Sequence, residues 1–309
     1  MSGSPLGVLL MTYGSPAPDL HDLPEYLAAV RGGRAPSDEL VAEFRRRYEL
    51  IGGSPLIAIT RQQAAAVEER LRSEGVDAHA TAGMRFSEPS VADGLRELGD
   101  LGCERVSAIV MSPQYSELLM AGYRRAVDTA VADLGPSAPR VEIAPAWYRE
   151  PAFIEAVAER VRTGLAALPA ATPVLLTAHS LPRRVAEAEP GYLDQLQETA
   201  EAVAVAAGVP ADRWHFCWQS AGHEPGEWMK PDFTDILPRL RNEGHAAVLV
   251  APIQFLADHL EILYDVDIGA REQAEAAGMA FARIESLNVA PSFIAALARI
   301  ARGAVPALG

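Results

Sequence analysis

The residues best suited to chemistry are one histidine and two carboxylates: His179, Glu261 and Asp265. A neutral imidazole accepts a proton near pH 7, and an imidazole with a carboxylate can bind a borderline divalent metal such as Fe2+. The same pair could equally do no more than hydrogen-bond two loops together. Glu261 and Asp265 lie four residues apart in Asp258-His259-Leu260-Glu261-Ile262-Leu263-Tyr264-Asp265. A helix there would put both on one face as an acidic line. Asp258, three residues before Glu261, would join that face or cap the helix. Asp265 alone fits an ordinary solvated helix position.

His179 is positioned by Pro173-Val174-Leu175-Leu176-Thr177-Ala178-His179-Ser180-Leu181-Pro182. The run Val174 to Leu176 reads as a strand buried on both faces, and Pro182 prevents a long continuation. His179 therefore falls at a strand's carboxyl end, where open α/β sheets take their ligands. Val8-Leu9-Leu10-Met11-Thr12-Tyr13-Gly14-Ser15-Pro16 aligns on Val174 to Pro182 without gaps, and Tyr13 falls opposite His179. A second pair follows, with one inserted residue: Val110-Met111-Ser112-Pro113-Gln114-Tyr115 against Val250-Ala251-Pro252-Ile253-Gln254-Phe255. Two copies in the same order indicate two related α/β halves facing each other across a cleft.

Strand and helix signals alternate along the chain, which predicts parallel sheets with crossover helices. Helices are expected over 20–31, 37–51, 57–74, 90–98, 118–134, 151–168, 192–207, 233–242, from about His259, and 292–302. Strands are expected over 7–12, 78–84, 106–111, 141–144, 174–179, 214–219, 246–251 and 280–283. Residues 220–231 read as an irregular loop. The border between halves belongs between Pro136 and Pro151, giving domains 1–145 and 146–309, with the closing helix packing back on the first.

The 309 residues are enough for two ordinary domains. Hydrophobic residues at 49% and charged residues at 22% are a common soluble composition. A net charge of -14 argues against nucleic acid or an anionic membrane as partner. Cys103 and Cys217 are too few for an iron–sulfur cluster or a disulfide framework, which fits a reducing cytoplasm. No stretch has the length or flanks of a transmembrane segment or signal peptide.

Taken together, the motifs resemble the ferrochelatase family of the class II, ATP-independent chelatase superfamily. They are Met11-Thr12-Tyr13-Gly14-Ser15-Pro16, Arg47-Tyr48-Glu49-Leu50-Ile51-Gly52-Gly53-Ser54-Pro55-Leu56, Ala178-His179-Ser180-Leu181-Pro182, Trp218-Gln219-Ser220 with Trp228, and Pro252-Ile253-Gln254-Phe255-Leu256-Ala257-Asp258-His259-Leu260-Glu261. They run in family order over nearly the whole chain. The resemblance implies two Rossmann-like domains and a lyase-class metal chelatase of haem biosynthesis that inserts Fe2+ into a porphyrin. It implies that Fe2+ and porphyrin are substrates, that no cofactor is required, and that any pathway partners are transient. It assigns His179 and Glu261 to metal insertion and proton removal, with Asp265 on a proton or metal route. In the coproporphyrin-using branch a tyrosine at the Tyr13 position lies on the other porphyrin face and can bind product iron. That branch, like this chain, lacks a cysteine-rich carboxyl extension, so coproporphyrin III is expected rather than protoporphyrin IX. Arg31, Arg47, Tyr48, Ser54 and Tyr123 match positions that hold propionates. On the residues alone, Arg31 reads equally as a helix-end cation, and Arg47 as one charge in the run Arg45-Arg46-Arg47.

Three positions depart from the family pattern. Gly32 stands where relatives often have a second arginine, Gly269 where the acidic line can extend, and Phe86 where some carry a histidine. A non-catalytic tetrapyrrole-binding protein would have no use for His179 and Glu261 together. A cobalt or nickel chelatase would use the same donors. The chain has no G-x-S-x-G elbow to make Ser180 a nucleophile, and no G-x-G-x-x-G or P-loop. His215, Cys217 and His223 match no standard zinc spacing.

Overall fold

The computed structural model describes residues 4–221 and 226–304. His223 lies outside them.

Strand β1 (Leu6–Thr12) is an almost unbroken apolar run and is buried along its length. Such a strand cannot face water, so it pairs on both sides. Its neighbours are β2 (Ala78–Met84) and β3 (Arg105–Val110), and β4 (Arg140–Ile143) extends the sheet in the order β2-β1-β3-β4, all parallel. Strands β5 (Val174–His179), β6 (Trp214–Gln219), β7 (Ala247–Pro252) and β8 (Ala280–Arg283) repeat the plan as β6-β5-β7-β8, again parallel. The sequence repeat is thus a structural one: β1 and β5 occupy equivalent central positions, and Tyr13 and His179 both sit at a strand's carboxyl edge.

Helices α1 (Leu23–Val30) and α2 (Asp38–Leu50) form a cluster of their own that meets Leu260, while α3 (Leu56–Ser73), α4 (Val91–Asp100) and α5 (Glu117–Leu134) pack on the first sheet. Helices α6 (Pro151–Ala166), α7 (Arg183–Ala188), α8 (Pro190–Ala207) and α9 (Phe233–Asn242) belong to the second. The chain closes with α10 (Arg271–Ala276) and α11 (Pro291–Ala304). Ser37 caps α2 by accepting from the Leu40 amide at 3.3 Å, as its position before an acidic first turn predicts. The short α7 has no counterpart in the sequence reading. It fits between Pro182 and Pro190, a span with no helical apolar period of its own.

Residues Glu261–Ala270 form a π-helix, not the ordinary helix expected from His259 onward. Its i→i+5 bonding widens each turn, a form that recurs at functional sites. Asp258 neither caps it nor joins its face. The Asp258 carboxylate instead accepts from Ser286 Oγ at 2.6 Å and Asn288 Nδ2 at 2.9 Å.

Each half has a core on one side of its sheet, but the largest apolar cluster joins them. Val8, Leu10, Val67 and Ile109 pack in one body with Phe153, Val174, Leu249 and Phe293. Helix α11 lies against α3 as well as α6. Polar contacts tie the same seam: Gln114 Nε2 donates to Thr199 Oγ1 at 3.0 Å, and Gln63 Nε2 to the Asn288 carbonyl at 2.8 Å.

Candidate active site

β5 delivers His179 as its last residue, the first along the strand to reach solvent. Its backbone amide donates to Gln254 Oε1 at 2.9 Å, and Gln254 is hydrogen-bonded to the Tyr192 hydroxyl. The imidazole Nδ1 faces the Ser180 carbonyl at 2.5 Å. A carbonyl can only accept, so Nδ1 carries a proton, and Nε2 is the ring nitrogen left to give up or take the other. Nε2 lies 3.7 Å from Glu261 Oε1. The sequence expected these two residues to meet, and they do. Their side chains keep 30% and 33% exposure, enough for a small reactant to reach them.

Glu261 has a second imidazole that sequence reading did not single out. His259 Nε2 stands 3.7 Å from Glu261 Oε2, while its Nδ1 faces the Ala257 carbonyl at 2.9 Å. His259 precedes the first helical turn, so helical spacing says nothing about where it points. Phe255 lies edge-on to both rings, with centroids 6.3 Å from His179 and 4.7 Å from His259. Burial works against a charged His259, but the Glu261 carboxylate overcomes it and raises the imidazole pKa. Burial likewise works against a charged Glu261, and the His179 and His259 rings outweigh it, holding the carboxyl below its usual value. Glu261 Oε2 is buried without a hydrogen-bond partner, which leaves a lone pair unused.

Asp265 follows on the π-helix. Burial and the Glu261 charge push its carboxyl up, against the pull of Arg47. Arg47 Nη1 is 3.6 Å from Asp265 Oδ1, and Arg47 Nε donates to Glu43 Oε1 at 2.8 Å. The Arg47 guanidinium lies 5.0 Å from the Tyr264 ring centroid, so it bridges α2 of the first half to the second. It is thus not one more solvated charge of the 45–47 run.

Tyr13 stands just past β1. Burial raises its phenol pKa, partly opposed by Arg85 and reinforced by the Glu261 charge. The tyrosine and the carboxylate therefore share one electrostatic environment across the two halves. The local backbone explains the placement. Gly14 has φ +93°, and a Cβ there would lie 1.9 Å from Ser87 Oγ. Tyr26 donates its hydroxyl proton to the Gly14 carbonyl at 3.1 Å, and the Ser15 amide donates to Ser87 Oγ at 3.0 Å.

The other sequence candidates divide. Arg31 ends α1, and its Nε is buried without a hydrogen-bond partner. Ser54 lies just before α3 and accepts from the Leu56 amide at 3.4 Å. Tyr48 is buried with Leu23, Leu27 and Tyr26, and its phenol pKa is raised by that burial. Tyr123 is buried on α5, edge-on to Tyr13 at 6.3 Å. Among the described residues, no three His, Cys, Asp or Glu side chains converge as a ready-made metal cage. No described helix is long and apolar enough to cross a membrane.

The family model described as Ferrochelatase matches residues 5–305. The chain is 40% identical over 301 residues to a protein of Deinococcus radiodurans named Ferrochelatase, covering 96% of this chain and 95% of that one. It is 37% identical over 308 residues to the Coproporphyrin III ferrochelatase of Anoxybacillus flavithermus, covering 97% and 96%. The solved structure of SirB from Bacillus subtilis with Fe3+ superposes with a TM-score of 0.60 over 97% of this chain and 95% of that one, at 11% identity, a likeness of fold. With a family match along its described length and strand ends that carry the motif residues, the chain belongs to the ferrochelatase family.

Proposed function

We propose that the substrate porphyrin is coproporphyrin III, that Fe2+ enters it at the His179–Glu261 pair, and that Tyr13 takes the product iron from the other face. The observation that carries this reading is His179 Nε2 standing 3.7 Å from the Glu261 carboxylate, with Tyr13 within the same field.

Insertion exchanges two pyrrole protons for one Fe2+. The first needs a base close to neutral pH, which the His179 Nε2 lone pair supplies. Glu261 shares the resulting positive charge, and His259 keeps it ionised until then. Asp265, whose pKa is raised, is the next acceptor outward. Imidazole and carboxylate also suit transient replacement of the water around Fe2+. No resident cofactor has a role in this scheme.

Propionates suit the cationic side of the site. Arg47 and Arg31 are the candidates to hold them, since a planar guanidinium matches a carboxylate in two contacts. Ser54 lies close by in sequence. Tyr48 and Tyr123 are buried, and their hydroxyls are the further candidates for propionate contacts. The relatives named Coproporphyrin III ferrochelatase favour four propionates over two. Protoporphyrin IX is the second reading, because the Deinococcus relative carries the broader name.

An anaerobic comparison of the two porphyrins with Fe2+ tests the choice. We expect kcat/KM for coproporphyrin III to exceed that for protoporphyrin IX by about tenfold or more, the size of one lost charged contact. An equal or reversed ratio would overturn the substrate assignment.

A further inference from the structure

Arg85 belongs to none of the propionate or insertion positions, yet its guanidinium lies over the Tyr13 ring. It follows β2 directly, where β2 lies beside β1, and its amide donates to the Thr12 carbonyl at 2.9 Å. The next amide, that of Phe86, donates to the Tyr13 carbonyl at 3.0 Å. These bonds fix the two strand ends to each other.

The side chain is fixed as well. Its guanidinium carbon lies 4.5 Å from the Phe86 ring centroid and 5.7 Å from those of both Tyr13 and Tyr123. Behind it is the bare backbone of Gly122 on α5. A Cβ on Gly122 would fall 2.0 Å from that carbon, so the glycine is what lets the arginine lie there. Nothing in the helix requires glycine at this position, since glycine weakens a helix interior. A cation stacked on aromatic rings in a partly buried site is a strong and directional contact.

We infer that Arg85 is the positioning residue for Tyr13, holding the phenol over the site where product iron would bind. The inference rests on the reading of Tyr13 as the ligand of product iron. With coproporphyrin III supplied already in the ferric state, ligation forms an iron–oxygen bond and sends the phenolic proton to water. The bound oxygen is then anionic, and Arg85 is the neighbouring charge that compensates it and keeps it in place.

The test uses full-length protein and added ferric coproporphyrin III. It reads the phenolate-to-iron charge-transfer absorbance and the rate of haem release, with Tyr13→Phe as the reference lacking the phenol. We expect the wild type to show the band and Tyr13→Phe to lack it. Arg85→Met should lose most of the band and release haem about tenfold faster, the loss of one charge-assisted contact. Arg85→Lys should restore much of it. Gly122→Ala, which leaves Arg85 in the sequence but crowds it out, should weaken the band in the same direction, and it decides the matter if Arg85→Met does not fold. An unchanged band and release rate in Arg85→Met or Gly122→Ala overturns the role of Arg85 and leaves Tyr13 as ligand. Weaker porphyrin binding with an unchanged band per bound haem also overturns it, making Arg85 a propionate anchor. A wild type without the band, identical to Tyr13→Phe, overturns both.

Discussion

At the scale of single residues, the site turns on where protons sit. Glu261 is shared by two imidazoles, and it raises the pKa of His259 against the effect of burial. In Glu261→Gln that support is gone and burial remains. The His259 ring, followed by NMR, should then titrate below its ordinary value near 6.5 rather than above it. An unchanged midpoint would mean that the pair is not coupled. The linkage has a definite sign. A raised imidazole pKa gives stability that is complete below 6.5 and fades as pH rises through the folded value. The depressed Glu261 gives stability that is present above 4.5 and fades as pH falls through its folded value. His179 and Glu261 were legible as a pair because His179 ends one recognisable strand, β5, and Glu261 follows another, β7. His259 was not, since it belongs to an irregular turn whose side-chain direction no period specifies. Arg85 was missed for another reason: its role depends on Gly122, 37 positions away, and on three rings from different elements.

At the scale of elements, strand ends do the positioning. The buried runs of β1 and β5, each closed by a proline, were readable as equivalent from residue type alone, and the two sheets repeat the same order. The turn after β1 depends on Gly14. Gly14→Ala forces a positive φ on a side chain and drives a Cβ into Ser87 Oγ. It should cost about 1–3 kcal/mol in urea unfolding. A cost near zero would show that the turn relaxes easily and that Tyr13 is not held by it. The π-helix was the least legible element. Its apolar spacing suits an ordinary helix, and the contacts that accompany the wider form are tertiary. Arg283 grips Asp267 through Nε at 2.7 Å and Nη2 at 2.9 Å, while Arg47 meets Asp265 from the other half.

At the scale of the whole molecule, the two halves are joined through one apolar body. Each fully buried large side chain in it contributes about 1.5–3 kcal/mol of burial. Phe293 on α11 packs in the same cluster as residues of β1 and α3. Phe293→Ala should destabilise the protein by about 3–5 kcal/mol. Unfolding followed by tryptophan fluorescence and by far-ultraviolet circular dichroism should remain one coincident transition, and two separated transitions would show that the halves fold independently. Two halves were visible in the sequence as a repeat, but the shared core was not, because buried residues carry no label of which partner they meet. The candidate residues come from both halves, with Arg47 3.6 Å from Asp265, so the most direct test of the account is insertion itself. Coproporphyrin III is bound to wild type and to His179→Ala without oxygen, Fe2+ is added, and porphyrin fluorescence and haem absorbance are followed together. The account predicts that His179→Ala still binds the porphyrin and that insertion falls by about a hundredfold or more, the share of a lost general base. Insertion by His179→Ala at the wild-type rate, with the porphyrin bound, would contradict it.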